Sequence, residues 1–146
     1  MPAKNLHDHP FDEGTIVKLE IFESYAKAWI PTFVMQRNIK KICVFDFFAG
    51  NGKDKNGVYG SSIRLLEQLK IHIGHLFQQK VHVEVFLNEF DLSKLDQLKE
   101  NCQEYLSSNS KLKKHVTIHY AGKDFDEIFD EWYSLPALVC WPIWSS

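Results

Sequence analysis

Hydrophobic side chains recur at spacings of three and four from Gly14 to Phe33, a pattern that predicts an amphipathic helix. The stripe consists of Leu19, Phe22, Ala26, Trp29, Ile30 and Phe33. Pro31 has no backbone N–H and its ring crowds the preceding turn, so we predict a kink or break near Ile30. The breadth of the stripe favours packing against a sheet, with a partner surface as the alternative.

Beyond this helix, short apolar runs alternate with helical patterns. Residues 42–45, 81–87 and 116–120 have the β-branched and apolar character of buried strands, and a fourth apolar run begins at 135–139. Ser61 or Ser62 is the predicted N-cap of the helix after the first strand, and Asp91 and Asp124 cap the next two. The inward sides of the first two of these helices carry Ile63, Leu65, Leu66, Leu69, Ile73 and Leu76, and then Leu92, Leu95, Leu98, Cys102 and Leu106.

Strands that alternate with helices imply parallel neighbours with helices on both faces of the sheet. We therefore predict an α/β fold, a Rossmann-like three-layer sandwich with a mostly parallel sheet that stops after the fourth strand. Residues 1–13 lack periodicity and are expected to form a flexible lead-in. Residues 14–146 are expected to form one domain.

Composition and charge narrow the functional classes. The 146 residues are 45% hydrophobic and carry a net charge of −2, which argues against non-specific binding to a phosphate backbone. No apolar run approaches the roughly 20 residues of a membrane span. The three cysteines are far apart in sequence and form no CxxC pair, so we predict buried thiols, a cytoplasmic location and no metal site.

The segment most informative about function follows the first predicted strand. It reads Asp46-Phe47-Phe48-Ala49-Gly50-Asn51-Gly52. Glycines at the carboxyl end of a parallel strand let a ligand approach the backbone closely. An acid that precedes the glycines suits a zwitterionic ligand, because Asp46 can receive an amino group while backbone amides meet a carboxylate. A turn with a purely structural role is the alternative.

The next two strands also end in acids. Glu89, after the second strand, is well placed to accept both hydroxyls of a ribose, and Phe90 beside it can lie against an adenine or belong to the core. Asp124, after the third strand, either accepts from an adenine amino group or serves only as the N-cap of the next helix. Lys53 to Gly60 forms a long connection that is either a lid or a solvated loop.

Several of these runs resemble the three-Cys-motif partner proteins. They are Lys18–Phe22, Tyr25, Ala28–Pro31, Phe45–Gly52 and Gly60–Ser62, and the resemblance extends over residues 15–135. These bacterial proteins are often encoded beside a protein that carries the cysteine motif. An acid followed by Phe-Ala-Gly-x-Gly is also similar to the cofactor motif of DNA methyltransferases.

The resemblance implies a methyltransferase-type Rossmann fold that binds S-adenosylmethionine (SAM). The candidate cofactor-binding residues are Asp46, Phe48, Ala49, Gly50, Gly52, Glu89, Phe90, Asp124 and Phe125. No catalytic residue is assigned. Phe47 stands where the family usually has Gly, and Ser62 where it has Pro, so we expect the Phe47 side chain to narrow the site.

The end of the chain departs most from a methyltransferase. Trp141 precedes Pro142 where enzymes acting on amino nitrogens have an Asp-Pro turn. The chain is therefore either a truncated or altered methyltransferase or a non-catalytic module that binds a ligand or a partner. Nucleic acid stays open as an acceptor. Trp141 and Trp144 beside an unfinished sheet predict a homodimer through the C-terminal edge.

Overall fold

Helices and strands alternate along the chain in the computed structural model, which describes residues 10–36 and 38–134 and the backbone of 140–143. The helices are α1 (Glu13–Val34), α2 (Ser61–Ile71), α3 (Ile73–Gln78), α4 (Leu92–Ser107), α5 (Ser110–Lys113) and α6 (Phe125–Tyr133). The strands are β1 (Lys41–Asp46), β2 (His82–Asn88), β3 (Val116–Ala121) and β4 (Cys140–Ile143). Within the described ranges, no helix combines the length and apolarity needed to cross a bilayer.

The four strands form one parallel sheet in the order β3-β2-β1-β4. Phe45 of β1 lies opposite Phe86 of β2 on one side and Pro142 of β4 on the other. This is the 3-2-1-4 order of a doubly wound sheet, in which the crevice for a ligand opens where the strand order reverses. The predicted α/β class with a parallel sheet is confirmed.

Side chains on the sheet alternate between two cores, as the pleat requires. Ile42 and Val44 face the layer of α1, α2 and α4, where the larger core lies. Cys43 and Phe45 face α6 and pack with Phe86, Ile128 and Trp132. One face of the sheet is thus covered by three long helices, and α6 is the helix that packs on the other in the described part of the chain.

Of the kink or break predicted near Ile30, the break is wrong, because α1 continues through Pro31 to Val34, while the kink stays a prediction. Ile30 and Val34 are buried on either side of the proline. Burial of two aliphatic side chains contributes about 3–6 kcal/mol, which offsets the roughly 3 kcal/mol cost of an internal proline. The helix therefore tolerates the lost hydrogen bond.

Other boundaries also differ from the sequence predictions. Gly60, not Ser61 or Ser62, is the N-cap of α2, and the predicted single helix divides at His72 into α2 and α3. Asp91 and Asp124 cap their helices as predicted. The short helix α5 has no counterpart in the prediction. Residues 135–139, where the fourth apolar run begins, lie outside the described residues, as do most of the predicted lead-in and Trp144.

Candidate functional site

Asn88 joins the carboxyl ends of three strands. Its side chain is almost completely buried at the end of β2. The amide Nδ2 donates to the carbonyl oxygens of Phe47 (3.3 Å) and Lys123 (2.9 Å), and Oδ1 accepts from the Lys123 amide at 3.0 Å. The backbone carbonyl of Asn88 accepts from the Ala49 amide. The turns after β1 and β3 are therefore fixed relative to each other through one side chain that the sequence prediction did not include.

Asp46 lies beneath the turn that follows β1, with no exposed surface. Its Oδ2 accepts from the Ser61 hydroxyl at 2.6 Å, and its Oδ1 accepts from the Phe48 amide at 3.1 Å. The carboxylate thus connects the strand, the turn and the start of α2. Ser61 has this role in place of the predicted capping role.

The turn depends on its two predicted glycines. Gly50 and Gly52 have φ values of +68° and +95°, a region that side-chain-bearing residues seldom occupy. A Cβ atom on Gly52 would also lie 3.2 Å from the Cβ atom of Asn101 on α4. Gly52 is therefore a packing position against α4, while Gly50 is partly exposed at the top of the turn.

Asn51, between these glycines, is buried against α4. Its Nδ2 donates to Gln97 Oε1 at 2.9 Å, and its backbone carbonyl accepts from Asn101 Nδ2 at 2.6 Å. The Asn51 Oδ1 atom is buried with no hydrogen-bond partner among the described residues. A buried acceptor of this kind normally finds a donor, since leaving it unsatisfied costs about 1–3 kcal/mol.

Glu89 contacts the glycine turn directly. Its Oε1 accepts from the Gly50 amide at 3.1 Å, and its Oε2 accepts from the Asp91 amide at 3.1 Å. The side chain is half-buried. The acid at the end of β2 and the turn at the end of β1 are thus in direct contact.

Aromatic rings border this surface. Phe48 is 43% exposed and stacks on Phe125 of α6, with ring centroids 5.5 Å apart and planes 15° apart. Phe90 is 69% exposed, so it does not belong to the core. The expectation that the Phe47 side chain narrows the site is wrong, because its ring is buried against Trp132 and the α6 aromatic residues.

Acidic groups dominate the rim. The Asp124 side chain accepts from the Glu127 amide at 2.9 Å, which confirms its capping role and leaves its predicted adenine contact a prediction. The neighbouring cation, Lys123, pairs with Glu131 at 2.6 Å, and this hydrogen bond raises the pKa of the lysine. Because Lys123 is paired with Glu131, it does not neutralise the negative charges of Glu89 and Asp91 at the strand ends.

The connection from Lys53 to Gly60 is a closed hairpin whose tip, residues 55–57, is exposed to solvent, and its role as a lid stays a prediction. Lys53 and Tyr59 form an antiparallel bridge. Asp54, only 6% exposed, accepts from the amides of Asn56 and Val58 through Oδ1 and from the amide of Phe11 through Oδ2. The segment before α1 is thereby tied to the hairpin.

A second cleft, of about 500 Å³, lies on the α6 face of the sheet and is lined in part by Lys41, Cys43, Glu84, His119 and Trp132. Lys41 pairs with Glu84 at 2.6 Å, and this hydrogen bond lowers the pKa of the glutamate. Burial raises the pKa of the Cys43 thiol, and the charge of Glu84 adds to the effect. Cys43 is therefore poorly suited to act as a nucleophile, since the thiolate is the reactive form.

The geometry divides the predicted site residues into two groups. Six of them reach the surface at the strand ends: Phe48, Gly50, Glu89, Phe90, Asp124 and Phe125. The other three are buried below that surface: Asp46, Ala49 and Gly52. The residues that sequence reasoning missed are Asn88, Asn51, Gln97 and Asn101. Asn88 had one available signal, an amide at the end of an apolar strand, and Asn51 had another, its place between two glycines, whereas the α4 pair had none. Comparison with protein-family models, curated proteins and solved structures gives no match.

Proposed function

We propose that the carboxyl edge of this sheet binds S-adenosylmethionine and that the chain is a methyltransferase-like protein of the three-Cys-motif partner type. The observation that carries the proposal is the 3.1 Å contact between the Gly50 amide and the Glu89 carboxylate. This contact joins an acid at the end of β2 to a glycine turn at the reversal of strand order, and doubly wound sheets bind nucleotides at that place.

The charge of the edge favours a cofactor without phosphates. Pyrophosphate binding uses free backbone amides at a glycine turn and at a helix N-terminus. Here the Gly50 amide donates to Glu89, and the N-terminus of α4 is capped by Asp91. Anionic side chains repel phosphate and attract the sulfonium and amino group of SAM.

In this proposal Glu89 turns from the Gly50 amide to the ribose hydroxyls when the cofactor binds. Phe90, already exposed, stacks on the adenine. The buried Asp46 acts as a positioning residue, since its contacts to Ser61 and Phe48 hold the shape of the turn. Its direct contact with the SAM amino group, expected from the sequence, would require the Ser61 hydroxyl to move away.

Calorimetric titration with SAM and with S-adenosylhomocysteine tests the proposal. Phe90→Ala should weaken SAM binding about 10-fold to 100-fold, since loss of base–aromatic stacking costs about 1–3 kcal/mol. Phe77→Ala is the matched control: Phe77 is 72% exposed, like Phe90, but lies on α3 before β2 begins. Glu89→Gln should weaken binding by a similar factor while the amide oxygen can still accept from Gly50.

Saturable binding that falls in Phe90→Ala and Glu89→Gln, and not in Phe77→Ala, would support the site. Equal loss in Phe77→Ala would point to a general effect on folding. Tighter binding of NAD or ATP than of SAM would contradict the choice of cofactor. No binding at millimolar SAM would leave the methyltransferase proposal without a basis.

A second proposal is a non-catalytic module that acts through a partner. The supporting observation is the row of aromatic side chains on α6, where Phe129 is 37% exposed and Tyr133 is 81% exposed beside the Phe48–Phe125 stack. Exposed aromatic clusters are typical of interaction surfaces. Absence of SAM binding together with intact folding would favour this module, including the predicted interaction with a three-Cys-motif protein.

A further inference from the structure

Helix α1 has a second apolar stripe on the side opposite its buried residues. Its packed side carries Leu19, Ala26, Ile30 and Val34. On the opposite side, six positions repeat at alternating spacings of three and four: Gly14, Val17, Ile21, Ser24, Ala28 and Pro31. Val17 and Ile21 are 51% and 63% exposed. This spacing is the heptad seam with which one helix packs against another.

The large and small residues of this stripe are arranged in a self-complementary order. If a second α1 lies antiparallel with Ile21 opposite Ser24, the same register sets Val17 opposite Ala28 and Pro31 opposite Gly14. Each layer then joins one larger residue with one smaller residue. Alternation of large and small side chains is what lets two facing surfaces interdigitate without voids.

The flanking charges match in the same register. Glu20 and Lys27 lie on one side of the stripe, one heptad apart, and both are exposed. In an antiparallel pair with Ile21 opposite Ser24, Glu20 of each helix lies beside Lys27 of the other. The twofold axis therefore generates two ion pairs, each between a glutamate of one helix and a lysine of the other. A surface that matches itself in this way is the requirement for an isologous dimer.

We propose that α1 is the interface of a homodimer in which two copies pack their outer stripes antiparallel. The overlap from Gly14 to Pro31 is about 27 Å long at 1.5 Å per residue. One helix pair covers less than the roughly 800 Å² per partner of a standard interface, so the dimer is weak and forms at high protein concentration. This interface is distinct from the C-terminal edge expected from the sequence.

Sedimentation over a wide range of protein concentration tests the proposal. The average mass should rise from 17.1 kDa toward twice that value. Ile21→Lys should stay at the monomer mass throughout, because it buries a charge in the seam. Ile71→Lys is the matched control, since Ile71 is 64% exposed at the end of α2, outside the stripe, and this variant should associate like the parent chain.

Exchange of the charges at Glu20 and Lys27 distinguishes a loss of association from misfolding of a variant. Glu20→Lys alone and Lys27→Glu alone should each weaken association, since each puts like charges together across the axis. The double variant Glu20→Lys/Lys27→Glu should restore it. A parent chain that stays monomeric, or an Ile21→Lys variant that still dimerises, would overturn the proposal. The second of these outcomes would favour the C-terminal edge.

Discussion

The Asp46 carboxylate is completely buried, and buried charged groups are seldom left without a partner. The bond from Ser61 is short, and the amide of Phe48 provides a further donor. Hydrogen bonds to a charged group are worth more than those between neutral groups. The turn that leads to the proposed site is therefore stabilised from inside the core, by a residue that the ligand does not have to touch.

We predict that Ser61→Ala lowers the free energy of unfolding by about 1.5–3 kcal/mol, because it removes a donor from a buried carboxylate. Urea denaturation measures the change. Ser62→Ala is the control, since the Ser62 hydroxyl is equally buried but its contact among the described residues is a long one from Cys102 at 4.0 Å. Equal losses in the two variants would contradict a special role for Ser61.

At the scale of the elements, the hairpin from Lys53 to Gly60 is held by several hydrogen bonds to one side chain. Asp54 accepts from three backbone amides, one of them 43 residues away in sequence. We predict that Asp54→Ala costs about 2 kcal/mol, because three partly buried backbone amides lose a charged acceptor. Asp54→Asn, which keeps one oxygen, should cost less.

Hydrogen exchange would locate the effect of these Asp54 variants. The amides of Phe11, Asn56 and Val58 should lose protection in Asp54→Ala, while the strands keep theirs. A uniform loss of protection through the sheet would show that the hairpin and the sheet unfold together, against this expectation.

The elements that the sequence predicted well are those set by local pattern. The first three strands and the caps at Asp91 and Asp124 depend on short apolar runs and on one acceptor near a helix start. The errors arose where distant residues decide. The burial of Ile30 and Val34 keeps α1 continuous through Pro31. The Ser61 hydroxyl donates to Asp46 instead of capping α2.

The candidate site follows the same rule. The sequence predicted Gly50 and Glu89 as separate cofactor-binding residues after two strands, and the structure brings them into contact because parallel strands end at one edge. It did not predict Asn88 as the link between the turns, because that role depends on carbonyl oxygens from two other segments. The exposure of Phe90 likewise depends on what packs around it, which an isolated motif does not encode.

At the scale of the whole molecule, the two faces of the sheet are covered by different helices, with α1, α2 and α4 on one face and α6 on the other. Cys102 lies within the three-helix layer, and burial raises its pKa to about 11. Cys43 lies under α6 and lines the cleft with Glu84 and His119. Both thiols are buried, but they report on the opening of different layers.

We predict that Cys43 reacts with a thiol reagent faster than Cys102 in the native protein. Two single-thiol chains test this, one with Cys102→Ala and Cys140→Ala and the other with Cys43→Ala and Cys140→Ala. The Cys102 rate should follow global unfolding as urea is added, whereas the Cys43 rate should depend less on urea because only the α6 layer opens. Equal rates with equal urea dependence would mean that the layers open together.

The strand order has a consequence for how the chain acquires its structure. In the pairing of β1 with β4, Cys43 lies opposite Cys140 in the strand register. These two residues are 97 positions apart in the sequence, although β1 is central in the sheet. At roughly 10 residues per second of synthesis, about 10 seconds separate the emergence of the two partners. Until then, one side of β1 presents unpaired amides and carbonyls to any other extended chain. Late in synthesis, therefore, this edge of β1 is the place where the growing chain can pair with a strand other than its own β4.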